Sequence, residues 1–224
     1  WIFSRMGKKK LERFEENKKS KYIIQKGKSL YNDVKGNWYK IFKNNNPISL
    51  ELGCGYGEYT YNLARKFKNE NFVGVDIKGS RIWKGSKIAE NENLNNVMFL
   101  RIRIEEIIEF FSKNEVDSIY IIFPDPRPKK RDLKKRLVGL SFMKKYYQIL
   151  KKNGKIMLKT DDIKLFELCI STVKNHFKYQ NLLSSRDYYK SSFYLKDKNI
   201  ITRYEKKFLN MKKKINYLEF NKFN

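Results

Sequence analysis

From Ile48 onward the chain alternates short apolar runs with amphipathic stretches, and the spacing of the two predicts a repeated strand-helix unit. The apolar runs are Ile48 to Leu52, Phe72 to Val75, Val97 to Ile102, Ser118 to Phe123 and Lys155 to Leu158. Helical periodicity separates them over about residues 57–67, 80–91, 104–113, 139–151 and 162–176. Strands buried on both faces read as apolar runs without polar alternation, so this series predicts an α/β fold, a doubly wound and mostly parallel sheet. Asn153-Gly154 reads as a helix stop ahead of a strand, and Thr160-Asp161-Asp162 as a helix N-cap cluster. The stretch from about 178 to 220 reads as a C-terminal antiparallel strand pair, around Tyr179 to Leu183 and Ile200 to Phe208, with a turn at Lys196-Asp197-Lys198-Asn199. Residues 6 to 46 are polar and basic with weak periodicity and close on Asn44-Asn45-Asn46-Pro47, which predicts a mobile arm with one or two short helices. The expected organisation is a basic N-terminal arm over 1–46 and one domain over 47–224. Met6-Gly7-Lys8 is the expected native start, with residues 1–5 outside the fold.

Charge sharpens this picture. Lys and Arg number 50 against 24 Asp and Glu, a formal charge of +26, while hydrophobic residues still make up 41% and aromatics 15%. That apolar content excludes a disordered polyelectrolyte, and the charge favours a phosphate-rich partner. Lys supplies 39 of the 50 bases and Asn occurs 22 times, the signature of an A+T-rich genome at permissive surface positions, so the location of the charge matters more than its total. His176 is the only histidine, which removes Ser-His-Asp, Cys-His and His-ligated metal chemistry, and no metal is expected. Cys54 and Cys169 form no metal or disulfide spacing and fit a reducing cytoplasm. No apolar run approaches the length of a membrane span, and Trp1-Ile2-Phe3 followed by Arg5 and Lys8-Lys9-Lys10 does not read as a signal peptide.

Ile48 to Leu52 runs directly into Gly53-Cys54-Gly55-Tyr56-Gly57 and then a helix. Glycines between a strand and a helix let the backbone approach a ligand and aim helix N-terminal amides at it. The spacing is G-x-G-x-G, whereas dinucleotide sites prefer G-x-G-x-x-G, and Glu51 stands two positions before the loop. This leans away from a pyrophosphate and towards a ligand carrying an ammonium group. Asp76 ends the next apolar run, 19 residues beyond Gly57, where such folds hold the two ribose hydroxyls of an adenosine. S-adenosylmethionine, with a ribose, an amino-acid tail and no phosphate, suits the set.

Three of the four prolines fall in Phe123-Pro124-Asp125-Pro126-Arg127-Pro128. Proline fixes its own φ and restricts the residue before it, so Asp125 has few conformations open to it. It lies at the carboxyl end of the fourth run, where open α/β sheets bind ligands. Directly after it, residues 127–136 carry seven bases in ten positions, including three of the chain's 11 arginines. A basic segment beside such a site is placed to grip a nucleic-acid backbone while one nucleotide enters.

These residues resemble the bacterial tRNA (guanine-N7-)-methyltransferases. Phe-Pro-Asp-Pro-x-Pro-Lys-Lys-Arg at 123–131, Leu158-Lys159-Thr160-Asp161 and Thr202-Arg203-Tyr204-Glu205 occur in that family together and in that order, and the likeness runs from about Met6 to Phe220. The resemblance implies a class I, Rossmann-like methyltransferase fold and methyl transfer from S-adenosylmethionine to a guanine in the tRNA variable loop. It implies Glu51, Gly53, Gly55 and Asp76 as cofactor-binding, Asp125 as catalytic and cofactor-facing, and Lys129, Asp161, Thr202, Arg203, Tyr204 and Glu205 as substrate-binding. Arg103 stands where most members carry an adenine-contacting aspartate; an arginine cannot accept the adenine amino proton, so that contact falls to the backbone or to Glu105. A cytoplasmic monomer or homodimer acting on tRNA is the expectation.

The chemistry fits a chain without a spare histidine. Guanine N7 has an in-plane lone pair and no proton, so its methylation needs positioning and charge stabilisation but no general base. A nicotinamide-dependent dehydrogenase would call for G-x-G-x-x-G and a proton donor. A methyltransferase with another substrate would leave the basic run unexplained, and a non-catalytic RNA-binding protein would leave the glycine loop and Asp125 unexplained.

Overall fold

Nine of the ten expected elements between Ile48 and His176 form at their sequence positions, the strand expected over 155–158 extending back to Leu150 so that Asn153-Gly154 lies within it. The computed structural model describes residues 2–195 and 199–223, and side chains from residue 9 onward. The chain divides into two compact units, residues 1–110 and 111–224.

In the first unit the elements are α1 (Ile2–Lys19), β1 (Ile23–Gln25), α2 (Trp38–Phe42), β2 (Ile48–Leu52), α3 (Glu58–Lys66), β3 (Asn71–Val75), α4 (Gly79–Asn91) and β4 (Val97–Arg101). The strands lie in the order β1-β4-β3-β2, all parallel, with Glu51 of β2 beside Gly74 of β3. Every residue of β2 and β3 is buried, including the polar Ser49, Glu51 and Asn71 among their apolar neighbours. Residues 6–46 depart from the expected arm. Helix α1 is one 18-residue element, and β1, too short to register as a periodic run, adds a fully buried strand against β4. Trp38 is completely buried with its indole Nε1 donating to the Phe110 carbonyl at 2.9 Å, so α2 is anchored by a satisfied polar contact inside an apolar site. The helix expected over 104–113 is a 3₁₀ turn at Ile104–Glu109.

The second unit contains β5 (Val116–Ile122), α5 (Leu140–Ile149), β6 (Leu150–Thr160), α6 (Ile163–His176), β7 (Tyr179–Ser185), α7 (Arg203–Asn210) and β8 (Asn216–Lys222). β5 and β6 are parallel, β8 is antiparallel to both β6 and β7, and the order is β5-β6-β8-β7. The fold is α/β, doubly wound and mostly parallel, with a C-terminal antiparallel pair. One member of that pair is corrected. Ile200 to Phe208 is not a strand; Arg203–Asn210 is helical, and β8 supplies the second strand. The reason is local chemistry: Thr202 is the N-cap of α7, its Oγ1 accepting from the Glu205 amide at 3.2 Å, and Thr-x-x-Glu is a capping signature that outweighs the short alternation of Ile200, Thr202 and Tyr204. The expected turn residues Lys196, Asp197 and Lys198 lie outside the described residues.

The Phe110-Phe111 and Phe142-Met143 pairs are core, as expected. Trp83 is half-buried, its Nε1 donating to Glu16 Oε2 at 3.0 Å beneath the Arg13 guanidinium. Among the described residues no helix is long and apolar enough to cross a membrane, and no cluster of three or more His, Cys, Asp or Glu could hold a metal ion.

Candidate active site

In the first unit, β2 delivers Glu51 and then a loop in which Gly53, Gly55 and Gly57 all have left-handed φ, at 74°, 55° and 72°. Both Gly53 and Cys54 donate their amides to the Val75 carbonyl, at 2.8 and 3.1 Å, which folds the loop across the end of β3. Gly55 and Gly57 differ in why they are needed. A Cβ on Gly55 would meet nothing within 4 Å, so its face is open to a ligand. A Cβ on Gly57, by contrast, would lie 2.4 Å from Phe99 Cε1. Gly74 and Gly85 face the same ring, at 2.9 and 2.7 Å, so Phe99 fills the space left by three missing side chains.

Asp76 ties the loop to the end of β3. Its Oδ2 accepts from the Gly55 amide at 2.9 Å and its Oδ1 from the Lys78 amide at 2.8 Å. Each carboxylate oxygen has a second lone pair, so capacity remains for ligand hydroxyls. Glu51 is 5% exposed and accepts on Oε2 from both the Thr60 amide, at 2.9 Å, and the Thr60 hydroxyl. Gly74 makes this possible, because Thr60 Oγ1 occupies the volume a Cβ there would take. Burial pushes the Glu51 pKa from the ordinary 4.5 up to about 8, against the opposing Thr60 hydrogen bonds. A buried acid of this kind favours a cationic ligand group, whose charge would restore the ionised form.

The shift has a measurable consequence. Between pH 4.5 and about 8 the folded chain keeps a proton that the unfolded chain releases, so this contribution to stability is lost as pH rises. In the cofactor-free protein, the fall in Tm between pH 6 and 8.5 should be shallower in Glu51→Gln than in the parent. Thermal unfolding across that range checks it, and equal slopes would show that Glu51 titrates normally.

Helix α1 also reaches this loop. Asn17, fully buried, donates Nδ2 to the Gly79 carbonyl at 2.8 Å. Arg101 donates Nε to the Ile77 carbonyl at 3.2 Å while its guanidinium packs on the Phe14 ring. The acidic loop after β3 is thus held from two sides by groups that sequence reading did not single out. Arg103 is exposed at the start of the Ile104–Glu109 turn.

In the second unit, β5 ends in the proline-clamped segment. Phe123 and Arg127 both take left-handed φ, 46° and 50°, on either side of Pro124-Asp125-Pro126. A phenylalanine there is strained by about 1–3 kcal/mol, a cost found where geometry is functional. The strain is held in place: the Phe123 amide donates to the Lys159 carbonyl at 2.8 Å, its ring packs on Phe208 of α7 at 5.3 Å, and Arg136 Nε donates to the Pro126 carbonyl at 2.9 Å. The Asp125 side chain is 64% exposed, its Oδ1 accepting from the Arg127 amide at 3.0 Å and its Oδ2 lying 3.4 Å from Arg127 Nε.

The remaining expected residues divide sharply by exposure. Lys129, Arg203 and Tyr204 are exposed, and Tyr204 lies on a helix, not on an alternating strand. Asp161, at the end of β6, accepts from Lys213 Nζ at 2.6 Å. Thr202 is spent as the α7 cap. Glu205, expected at the substrate, has no exposed surface, and its carboxylate is held by Lys159 Nζ at 3.2 Å and by the Tyr189 hydroxyl at 2.8 Å. Burial pushes the Lys159 pKa down, and Glu205 opposes that shift. Nothing in the sequence marked Lys159 as the partner of a residue 46 positions away.

A family model described as "Putative methyltransferase" matches residues 45–218. The tRNA (guanine-N(7)-)-methyltransferase of Cytophaga hutchinsonii is 41% identical over 96% of this chain and 98% of its own length. That of Christiangramia forsetii is 42% identical over 95% and 97%. Among solved structures, the 16S rRNA methyltransferase KamB is similar with a TM-score of 0.64 over 89% of this chain and 96% of its own, at 12% identity, and bears on the fold alone. Near-complete mutual coverage at this identity leaves one assignment: the chain belongs to the tRNA (guanine-N(7)-)-methyltransferase family.

Proposed function

We propose that this protein transfers a methyl group from S-adenosylmethionine to N7 of a guanine in the variable loop of tRNA. The observation that carries the reading is the full-length likeness to tRNA (guanine-N(7)-)-methyltransferases. The donor set of the first unit fits the cofactor: a buried acid suited to an ammonium group, an open glycine face and an aspartate with spare acceptor capacity. Bound there, S-adenosylmethionine would supply a methyl group activated by its sulfonium.

Glu51 would ionise against the cofactor's ammonium, Gly53 and Gly55 would admit it to the backbone, and Asp76 would take the ribose hydroxyls. Arg103 carries only donors, which suits adenine ring nitrogens and not the amino group. Asp125 would accept from the guanine N1–H and amino group and stabilise the positive charge that N7 methylation places on the purine. Lys129, Asp161, Arg203 and Tyr204 would bind the surrounding RNA, with the exposed bases of 127–136 on phosphates. The work is cytoplasmic, by a monomer or homodimer.

Incubation with unmodified tRNA and labelled S-adenosylmethionine, followed by chemical cleavage at 7-methylguanosine, should give one cleavage site in the variable loop. Label incorporated without that cleavage would point to another acceptor atom.

A further inference from the structure

Inside the second unit is a closed ring of four polar side chains that no step above uses, two of them buried, Lys159 and Glu205, and two half-buried, Tyr189 and Asn199. Lys159 Nζ donates to Asn199 Oδ1 and to Glu205 Oε1; Asn199 Nδ2 donates to the Tyr189 hydroxyl at 3.2 Å; and that hydroxyl donates to Glu205 Oε1 at 2.8 Å. Lys159 and Glu205 are 1% and 0% exposed, and the ammonium also lies 5.3 Å over the Tyr188 ring. A pair this deeply desolvated is an expensive way to hold a fold together, since apolar residues of similar volume would serve as well or better. Its location suggests a different use. The Lys159 backbone carbonyl receives the Phe123 amide, one residue before Pro124-Asp125, while its side chain holds Glu205 in the first turn of α7. The same helix returns Phe208 onto the Phe123 ring, and the residue after Thr160 in β6 is Asp161. One residue therefore touches both the strained Asp125 segment and the Thr202 to Glu205 segment.

We infer that Lys159 is a positioning residue: through the Asn199-Tyr189-Glu205 ring it fixes the exposed Arg203-Tyr204 face relative to Asp125, so that both engage the same nucleotide region of the RNA. The inference rests on the tRNA reading above. Side chains that must be held to within a fraction of an ångström are supported by such inner networks, and a small misplacement lowers turnover without unfolding the protein.

The test is built on the charge balance. Lys159→Met alone leaves the Glu205 carboxylate buried and uncompensated and should lower Tm by roughly 10 °C. Lys159→Met with Glu205→Gln removes both charges and should recover most of that Tm. The double variant should bind S-adenosylmethionine within twofold of the parent yet lose at least tenfold in kcat/KM for tRNA. Parent-like tRNA turnover in a double variant of parent-like Tm would overturn the inference, because a purely structural pair would be repaired by neutralisation. If the double variant does not fold, Tyr189→Phe opens the ring without burying a charge. It should lose about threefold in kcat/KM at unchanged Tm, and no loss would again overturn the role. A parent protein that binds cofactor but does not methylate tRNA would instead sink the functional reading and take this inference with it.

Discussion

Replacing Asp125 by alanine should lower kcat for tRNA methylation by about 10²–10³-fold and leave tRNA affinity within a fewfold of the parent, the size of effect seen when one preorganised charge-stabilising group is removed. The side chain is mostly exposed and its polar contacts are with neighbouring Arg127, so its loss should shift stability by no more than about 0.5 kcal/mol. Its aim is set by backbone, not by packing: prolines on both sides, left-handed Phe123 and Arg127 as brackets, and the Arg127 amide on Oδ1. The substitution therefore deletes a charge from a frame that stays in place. The positive charge of a methylated purine develops along the reaction, so a fixed carboxylate favours the transition state over the bound substrate. Asp125→Asn separates two contributions. It keeps one carbonyl acceptor and loses the charge, and should fall between the parent and Asp125→Ala. Steady-state kinetics with separate kcat and KM for tRNA decides the matter; equal losses in both would mean that Asp125 serves binding alone.

The second large effect is on folding. Gly57→Ala should lower Tm by roughly 10 °C, whereas Gly55→Ala in the same loop should cost much less. Both residues have left-handed φ, which an alanine adopts at a cost of about 1–2 kcal/mol. Only at Gly57 does the new methyl also collide, 2.4 Å from Phe99 Cε1 and 2.8 Å from Cζ. Phe99 cannot step aside, because its ring already fills the gaps over Gly74 and Gly85 and is fully buried. Overpacking of this kind adds about 1–3 kcal/mol. Thermal unfolding of the two variants tests the difference. Trimming the ring with Phe99→Leu should restore part of the Gly57→Ala loss, and equal Tm values for Gly55→Ala and Gly57→Ala would refute the collision.

Much of the site's local framework was legible from residue order because it depends on near neighbours. Strands buried on both faces are mostly apolar, so β2 and β3 could be bounded within a residue despite the buried Glu51, and glycines with acids at their flanks mark the loop between them. Three prolines around Asp125 announce a stiff backbone whatever surrounds it. Failures came where local signals compete or are short. β1 has three residues, below the length at which periodicity can be read, and Thr202-Arg203-Tyr204-Glu205 satisfies both a brief alternation and a helix cap. The cap won because it satisfies backbone amides at the start of a helix whose Phe208 then finds an apolar partner in Phe123.

Sequence alone determined the class of fold, the glycine loop with its two acids and the conformational stiffness of Asp125, since each follows from properties of adjacent residues. Tertiary structure decided which charges are displayed and which are consumed inside. Arg203 and Glu205 are two positions apart in one motif, yet one faces solvent and the other is sealed against Lys159. Which residues share a helical face depends on the turn the chain takes, and a charge can be buried only where a partner from a distant strand arrives to neutralise it.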